Sequence, residues 1–541
     1  MANYNFKVVG IKDDIIGIES QQAYALQYSE LVYFETGAIG MILRANAKQA
    51  NVALVTGESK SIRVGTKCQP SGQLFSINIH QDHWGKIIDV SGQSLLADQQ
   101  ISDQPLAKKL VFESASPMYD RVALSEPLVS GTITIDGILP IGLGQKQLIV
   151  GDAATGKSAL AITMMLAQAD SDVDNIYVAI GKKREEVLEI AKTLADHNVL
   201  NKTILISAAS DHHAASKYLA PYVGASIAKY WQEQGRNVLV IFDDLSNHAD
   251  AHRQLSLLNG SAPGREAFPG DIFYTHSRLL ERCGRFNAQA GGGSITMIPI
   301  VQTEEGDISA YIPTNLISIT DGQIYTSKAI FNEGRRPAIE IGISVSRLGS
   351  QVQIETMKKA TSGLKNTVAN YENLQKRASF GNAQLTKSDQ SIKTKGMIFQ
   401  AIVDQREYQV SIPQVSALLF FLLKENYLDG FATNQSFNTI KNQINLIKEV
   451  LNNFLTNDLL GIKLANLLKT KSLDDQLISA YLTTMVLPLI KGYLLEQYHW
   501  LVNDAAFQAT FKTIRDDHRV LIAFQAQNQL KGIMYNGNSS K

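Results

Sequence analysis

The stretch KQLIVGDAATGKSALAITMMLAQ, residues 146–168, decides how this chain folds. Its centre, GDAATGKS at 151–158, satisfies the pattern G-x-x-x-x-G-K-[ST]. The context that the pattern requires is present, with the apolar strand KQLIV in front and a helix-forming run behind. Gly151 and Gly156 let the backbone curl, so that the N–H groups of Asp152, Ala153, Ala154 and Thr155 and the start of the following helix face an anion. Lys157 supplies a point charge to the outer phosphates, and the hydroxyl of Ser158 can ligate Mg²⁺. The expectation is a phosphate site for ATP or ADP with Mg²⁺, and the alternative is a vestigial loop.

A loop of this type belongs to a parallel sheet, and the flanking sequence supplies one. Strand-then-helix units recur at NIYVAI followed by REEVLEIAKTLA, and at NVLVIF followed by polar and helical sequence. Buried strands alternating with amphipathic helices imply a parallel sheet covered on both faces. VLVIFDD at 238–244 is an apolar strand that ends in two acids. An acid at the C-terminal edge of such a strand sits beside the P-loop, where it can hold Mg²⁺ through its water shell. Asp243 is preferred for that role, which leaves Asp244 as a helix or loop cap.

Farther out the texture changes on both sides. Residues 1–79 are short alternating runs such as KVVGI, NVALVT and QLFSINIH between turn residues, a pattern that suggests a small β-barrel or sandwich. Residues 80–353 carry the strand-and-helix units, and over 354–541 Gly and Pro thin out and helical spacing dominates. Phe437, Ile440, Ile444, Ile447, Leu451 and Phe454 fall at steps of three and four, the apolar stripe of a helix packed into its own bundle.

Bulk properties agree with this division. A chain of 541 residues has the length of roughly three domains. With 45% apolar and 19% charged residues it has the composition of a globular protein. Lys plus Arg equals Asp plus Glu at 51 each, so no charge excess argues for nucleic acid or an anionic membrane surface. Cys68 and Cys283 are the only cysteines, which excludes a disulfide framework and a Cys-based zinc site and fits a reducing cytosol. The start, MANYNFKVVGIKDD, has no export pattern. SALLFFLL at 416–423 and ISAYLTTMVLPLI at 478–490 fall short of the ~20 residues of a membrane span and read as buried helix cores.

Three blocks carry a family resemblance: PGREAFPGDIFYTHSRLLER at 263–282, DISAYIPTNLISITDGQIY at 307–325 and GISVSRLGS at 342–350. In order and spacing behind the P-loop they resemble the F-type ATP synthase alpha subunit, and the run TNLISITDGQ is closer to alpha than to the catalytic beta subunit. The resemblance implies a multidomain fold: an N-terminal small β-barrel, a central RecA-like α/β nucleotide-binding domain and a C-terminal α-helical domain. It also implies alternation with catalytic beta-type subunits around a gamma-type rotor subunit, in a cytoplasmic head held at the inner face of the cell membrane through its complex. Such a subunit binds ATP with Mg²⁺ without turning it over. Where beta subunits carry a catalytic glutamate after the strand matching NIYVAIG, and alpha subunits usually a glutamine, this chain has Lys182, which cannot act as a base while protonated. Glu185 and Glu186 are expected in the next helix. Arg347, within SVSRLGS, matches the arginine that alpha subunits extend into the neighbouring active site, where a bidentate guanidinium suits a transferring phosphoryl group.

Departures from the family shape the remaining expectations. The barrel-like sequence begins within the first ten residues, where alpha subunits carry ~25 more that hold the peripheral stalk, so a complex working in the hydrolytic direction is expected. Ala153 and Ala154 stand where Arg and Gln are typical, and the C-terminal region is longer than usual. This combination is similar to the divergent rotary ATPases of mycoplasmas, including those associated with gliding, which adds motility-machinery proteins to the partner classes. Rival readings are a homohexameric export-type ATPase, which Lys182 argues against, and a mainly structural subunit of a motility machine. His80 with His83 and His212 with His213 lack further ligands at metal spacing, and Gly291–Gly293 reads as a loop before a strand.

Overall fold

The computed structural model describes residues 5–96, 100–379, 386–429 and 435–457, with 462, 465, 466, 468 and 469 beyond them. The apolar stretch 478–490 and the C-terminal extension lie outside the described residues. The chain divides into two compact units, Met1–Leu128 with Ile141–Glu333 and Ser344–Gln351, and Val129–Pro140 with Gly334–Ile343 and Val352–Lys541.

In the first unit, six antiparallel strands close into a barrel. They are β1 (Phe6–Lys12), β2 (Ile15–Glu19), β3 (Glu30–Phe34), β4 (Ile39–Ala45), β5 (Gln49–Thr56) and β6 (Lys67–Leu74), in the order β1-β2-β5-β4-β3-β6. Period-two alternation drives the closure: β1 turns Phe6 and Val8 inward and leaves Lys7 and Val9 outside. Gly40 is required by space, since a Cβ there would lie 2.3 Å from the Val52 side chain. The sequence reading grouped Ser76–Ile79 with the barrel, but this strand pairs with Ala107–Leu110 instead. The reason is burial, because Ile77 and Ile79 join the core of the α/β domain.

The α/β domain is built on a sheet with the order Val345–Ser346, Gly322–Thr326, Leu148–Asp152, Ser294–Thr303, Asn237–Asp243, Val173–Ile180, Thr203–Ala208 and Ile87–Ile88. All these neighbours pair in parallel except the first two, which are antiparallel. The central strands are buried along nearly their whole length, as two covered faces demand. Their carboxyl ends therefore lie along one edge, where loops can carry a site. His213 ties this domain to the barrel: Nδ1 is 2.8 Å from Asp14 Oδ1 and Nε2 is 2.7 Å from the Gly57 carbonyl oxygen. Both partners only accept, so the ring that meets both is the imidazolium.

The second unit is helical, as expected. Its helices include Ile133–Ile138, Glu355–Thr361, Leu364–Ser379, Lys387–Val403, Pro413–Lys424 and Phe437–Asn457. Thr386 and Asp389 form a capping box at the start of Lys387–Val403, and Lys448 closes its other end by donating to the carbonyls of Ala401 (3.1 Å) and Asp404. Helix Phe437–Asn457 buries Ile440, Ile444, Ile447, Leu451 and Phe454 of the stripe read from the sequence and leaves Phe437, at its first turn, half-buried, and SALLFFLL lies buried within Pro413–Lys424.

Candidate nucleotide-phosphate site

The P-loop bends between the buried strand Leu148–Asp152 and the helix Lys157–Leu166. Its two glycines are needed for different reasons. Gly156 sits at φ +87° with open space around a would-be Cβ, so the requirement is conformational. At Gly151 a Cβ would fall 2.2 Å from Thr326 Oγ1 and 2.3 Å from its carbonyl oxygen, because the neighbouring strand is in register there. Asp152 spends its carboxylate inside the fold, accepting from the Thr303 hydroxyl and the Gly306 amide at 2.7 Å each. Thr155 bonds the Asp152 carbonyl at 2.8 Å and the Thr326 hydroxyl at 2.7 Å. Asp152 and Thr155 thus fix the loop with their side chains and have only main-chain amides to offer an anion. Ala153 and Ala154 are exposed and Ala154 adopts φ +58°.

Lys157 Nζ donates to the Gly151 carbonyl at 2.8 Å and to that of Asp152. Burial pushes its pKa below the ordinary lysine value, and the negative charges of Asp244, Asp243 and Asp152 oppose that shift. The ammonium is therefore tethered to the loop it serves. An arriving phosphate meets a fixed lysine, a ring of amides and a helix N-terminus, and this donor set fits a nucleotide phosphate.

Across the loop stands the end of the strand Asn237–Asp243. Asp243 Oδ2 accepts from the Tyr177 hydroxyl at 2.5 Å and lies 3.1 Å from Lys182 Nζ. The same Nζ donates to Ser158 Oγ at 3.3 Å. Asp244 is the cap of helix Leu245–Leu258, its carboxylate accepting from the Asn247 amide at 2.8 Å, and burial lifts it to about 6. Gly181 directs Lys182: it has φ +72°, a Cβ would lie 3.0 Å from the Asn247 side chain, and Asn247 donates to the Ile180 carbonyl at 3.0 Å. Glu185 and Glu186 are exposed in the first turn of helix Arg184–Asp196.

Ser158 and Asp243, the two side chains expected to hold Mg²⁺, are thus brought together with an ammonium between them. A magnesium ion needs an octahedron of oxygens at about 2.0–2.1 Å. Beside an ammonium within hydrogen-bond reach of both donors, that ion does not fit. Among the described residues no group of three or more His, Cys, Asp or Glu could hold a metal. His83 is buried with Nε2 3.2 Å from the Gly92 carbonyl oxygen, and burial lowers its pKa to about 4.

Arg347 follows the edge strand Val345–Ser346 and is exposed. Its amide donates to the Asp321 carbonyl at 2.9 Å and its Nη1 to the Thr320 carbonyl at 3.3 Å. Gly291–Gly293 form the loop before Ser294–Thr303, each at positive φ. Sequence reading missed Tyr177, Thr303 and Thr326. A single tyrosine within NIYVAI, and a threonine at the carboxyl end of each strand flanking the P-loop strand, were the available signals.

The description "ATP synthase alpha/beta family, nucleotide-binding domain" matches residues 131–346, and "ATP synthase alpha/beta chain, C terminal domain" matches residues 353–481. ATP synthase subunit alpha of Mycoplasmopsis agalactiae is 38% identical over 81% of this chain and 81% of that protein. ATP synthase subunit alpha 1 of Mycoplasmopsis pulmonis is 39% identical over 78% of this chain and 79% of its own length. ATP synthase subunit alpha of Dehalococcoides mccartyi is 40% identical over 75% of this chain and 80% of its own length. With these family matches and 38–40% identity over 75% or more of both this chain and the relatives, the chain belongs to the ATP synthase alpha/beta family, as an F-type alpha subunit.

Proposed function

We propose that this chain is the nucleotide-binding, non-catalytic member of a rotary ATPase head, alternating with catalytic beta-type subunits around a gamma-type rotor subunit. The observation that carries the reading is Lys182. Hydrolysis needs a group that orients or activates the attacking water. At the corresponding position stands an ammonium ion-paired to Asp243 at 3.1 Å, and Glu185 and Glu186 face solvent on the next helix. The P-loop retains what binding requires, so ATP or ADP held by the loop amides, Lys157 and the helix N-terminus stabilises the folded, assembled subunit by mass action. The Mg²⁺ expected at Ser158 and Asp243 is the one part of the family's nucleotide chemistry that the donor set does not accommodate.

Arg347 is proposed as the catalytic residue that this chain lends to its neighbour. Support comes from its motif and from its exposure at the sheet edge. The head is proposed to sit at the inner face of the cell membrane through its complex. Among the described residues no helix is long and apolar enough to cross a membrane. The test is purification through a tag on this chain, with identification of every stoichiometric partner. A beta-type subunit with glutamate at the position of Lys182 and a gamma-type subunit are expected. Motility-machinery proteins in the same complex would assign it to gliding. A homohexamer that hydrolyses ATP unaided would overturn the reading.

A further inference from the structure

We propose that Lys182 takes the place of the divalent cation in this subunit, so that the P-loop holds its nucleotide without Mg²⁺. The proposal rests on the nucleotide-binding reading of the loop and adds a cation requirement opposite to the one expected of such loops.

The geometry carries it. Lys182 Nζ stands 3.3 Å from Ser158 Oγ and 3.1 Å from Asp243 Oδ2, the hydroxyl and carboxylate between which a P-loop cation is ordinarily held. Asp243 Oδ2 also accepts the Tyr177 hydroxyl, so that oxygen is already committed twice. The positive charge that normally bridges the outer phosphates is here covalently part of the chain. An ammonium has three donors. Ser158 and Asp243 take two, and the third is free to meet a phosphate oxygen beside Lys157.

The position is built rather than adventitious. The turn at Gly181 is fixed by Asn247, whose side chain both excludes a Cβ at Gly181 and donates to the Ile180 carbonyl. Lys182 is largely buried, with 15% of its side chain exposed, and Asp243 is buried with 2% exposed. Inserting a divalent cation would break the ion pair and set two like charges side by side in a site of low dielectric. The loop's loss of polar side chains at Ala153 and Ala154 leaves this corner as a main source of charge for the phosphates.

The experiment is isothermal titration of the purified full-length chain with ATP, in Mg²⁺ and in EDTA, followed by metal analysis of the nucleotide-loaded protein. Wild type is expected to change affinity by less than about threefold between the two conditions and to retain nucleotide without stoichiometric Mg²⁺. Lys182→Gln should lose about tenfold or more in EDTA, the value of one hydrogen bond to a charged group. It should recover on adding Mg²⁺, with one ion retained per nucleotide. Lys182→Met, which keeps the stem and removes the charge, should lose affinity in EDTA in the same way, and thermal melting checks that both variants fold. A wild-type affinity that falls tenfold in EDTA, or one Mg²⁺ per bound nucleotide, would overturn the proposal while leaving nucleotide binding intact. Binding in neither condition would defeat the nucleotide reading itself, and this proposal with it.

Discussion

On the P-loop side of the phosphate site, Gly151, Asp152 and Thr155 are locked to Thr326, Thr303 and Gly306 through steric fit and hydrogen bonds of 2.7 Å. On the facing side, at the ends of the strands Val173–Ile180 and Asn237–Asp243, the backbone is held as carefully by Asn247, yet the chemistry differs. There Lys182 is ion-paired to Asp243 at 3.1 Å, and in the proposed function it stands where a carboxylate or amide would handle water. Packing holds both halves in place, and on the proposed reading only the P-loop half carries the groups its task requires. A fold and a reaction are separable, and the proposed function places that separation within one site.

The contrast can be broken first at Arg347, the residue proposed to act outside it. Arginine fingers contribute about 10³–10⁵ in rate. Steady-state ATPase of an assembled hexamer carrying Arg347→Ala should therefore fall by at least about two orders of magnitude, with assembly and nucleotide content kept. Arg347→Lys should recover little, because a point charge cannot make the two-pronged contact. Near-normal turnover would leave Arg347 a structural residue.

A smaller effect is expected on the binding half. Lys157→Ala removes a charge-assisted contact worth about 1.5–3 kcal/mol, so nucleotide affinity should drop about 10- to 100-fold, at ~1.4 kcal/mol per decade. Melting in the presence of ATP should drop correspondingly. Unchanged affinity and melting would mark the loop as vestigial.

The smallest effect lies away from the site, at the seam between barrel and sheet. The hydrogen bond to Asp14 raises the His213 pKa, and the hydrogen bond from His213 lowers that of Asp14. A raised histidine contributes fully below its ordinary value of about 6.5 and is lost as pH rises through its folded value. The lowered carboxyl contributes above its ordinary value of about 3.9 and is lost as pH falls through its folded value. Asp14→Asn should cost up to about 1 kcal/mol between those limits and little above them. Denaturation measured across pH checks this, and a cost that persists at alkaline pH would contradict the imidazolium assignment.

Much of this was legible in the sequence because the signals are local. GDAATGKS between a strand and a helix, VLVIFDD as a strand ending in acid, and the 437–454 stripe each fit within one element. What escaped depended on strand order. Lys182 and Ser158 are 24 residues apart and meet because their strands lie three places apart in one sheet. Tyr177 reads as core until Asp243 is known to lie within reach of its hydroxyl. The Asp14–His213 link spans 199 residues, beyond the reach of periodicity. Ser76–Ile79 alternates like a barrel strand, and only the depth of Ile77 and Ile79 in another core assigns it elsewhere.

The central claim, that this subunit holds nucleotide and does not turn it over, is tested most directly by following γ-labelled ATP on the purified full-length chain. The label should stay bound as intact ATP over many minutes, with release of inorganic phosphate no faster than the buffer control. Lys157→Ala should retain less label. Phosphate release at several turnovers per second, abolished by Lys157→Ala, would contradict the account.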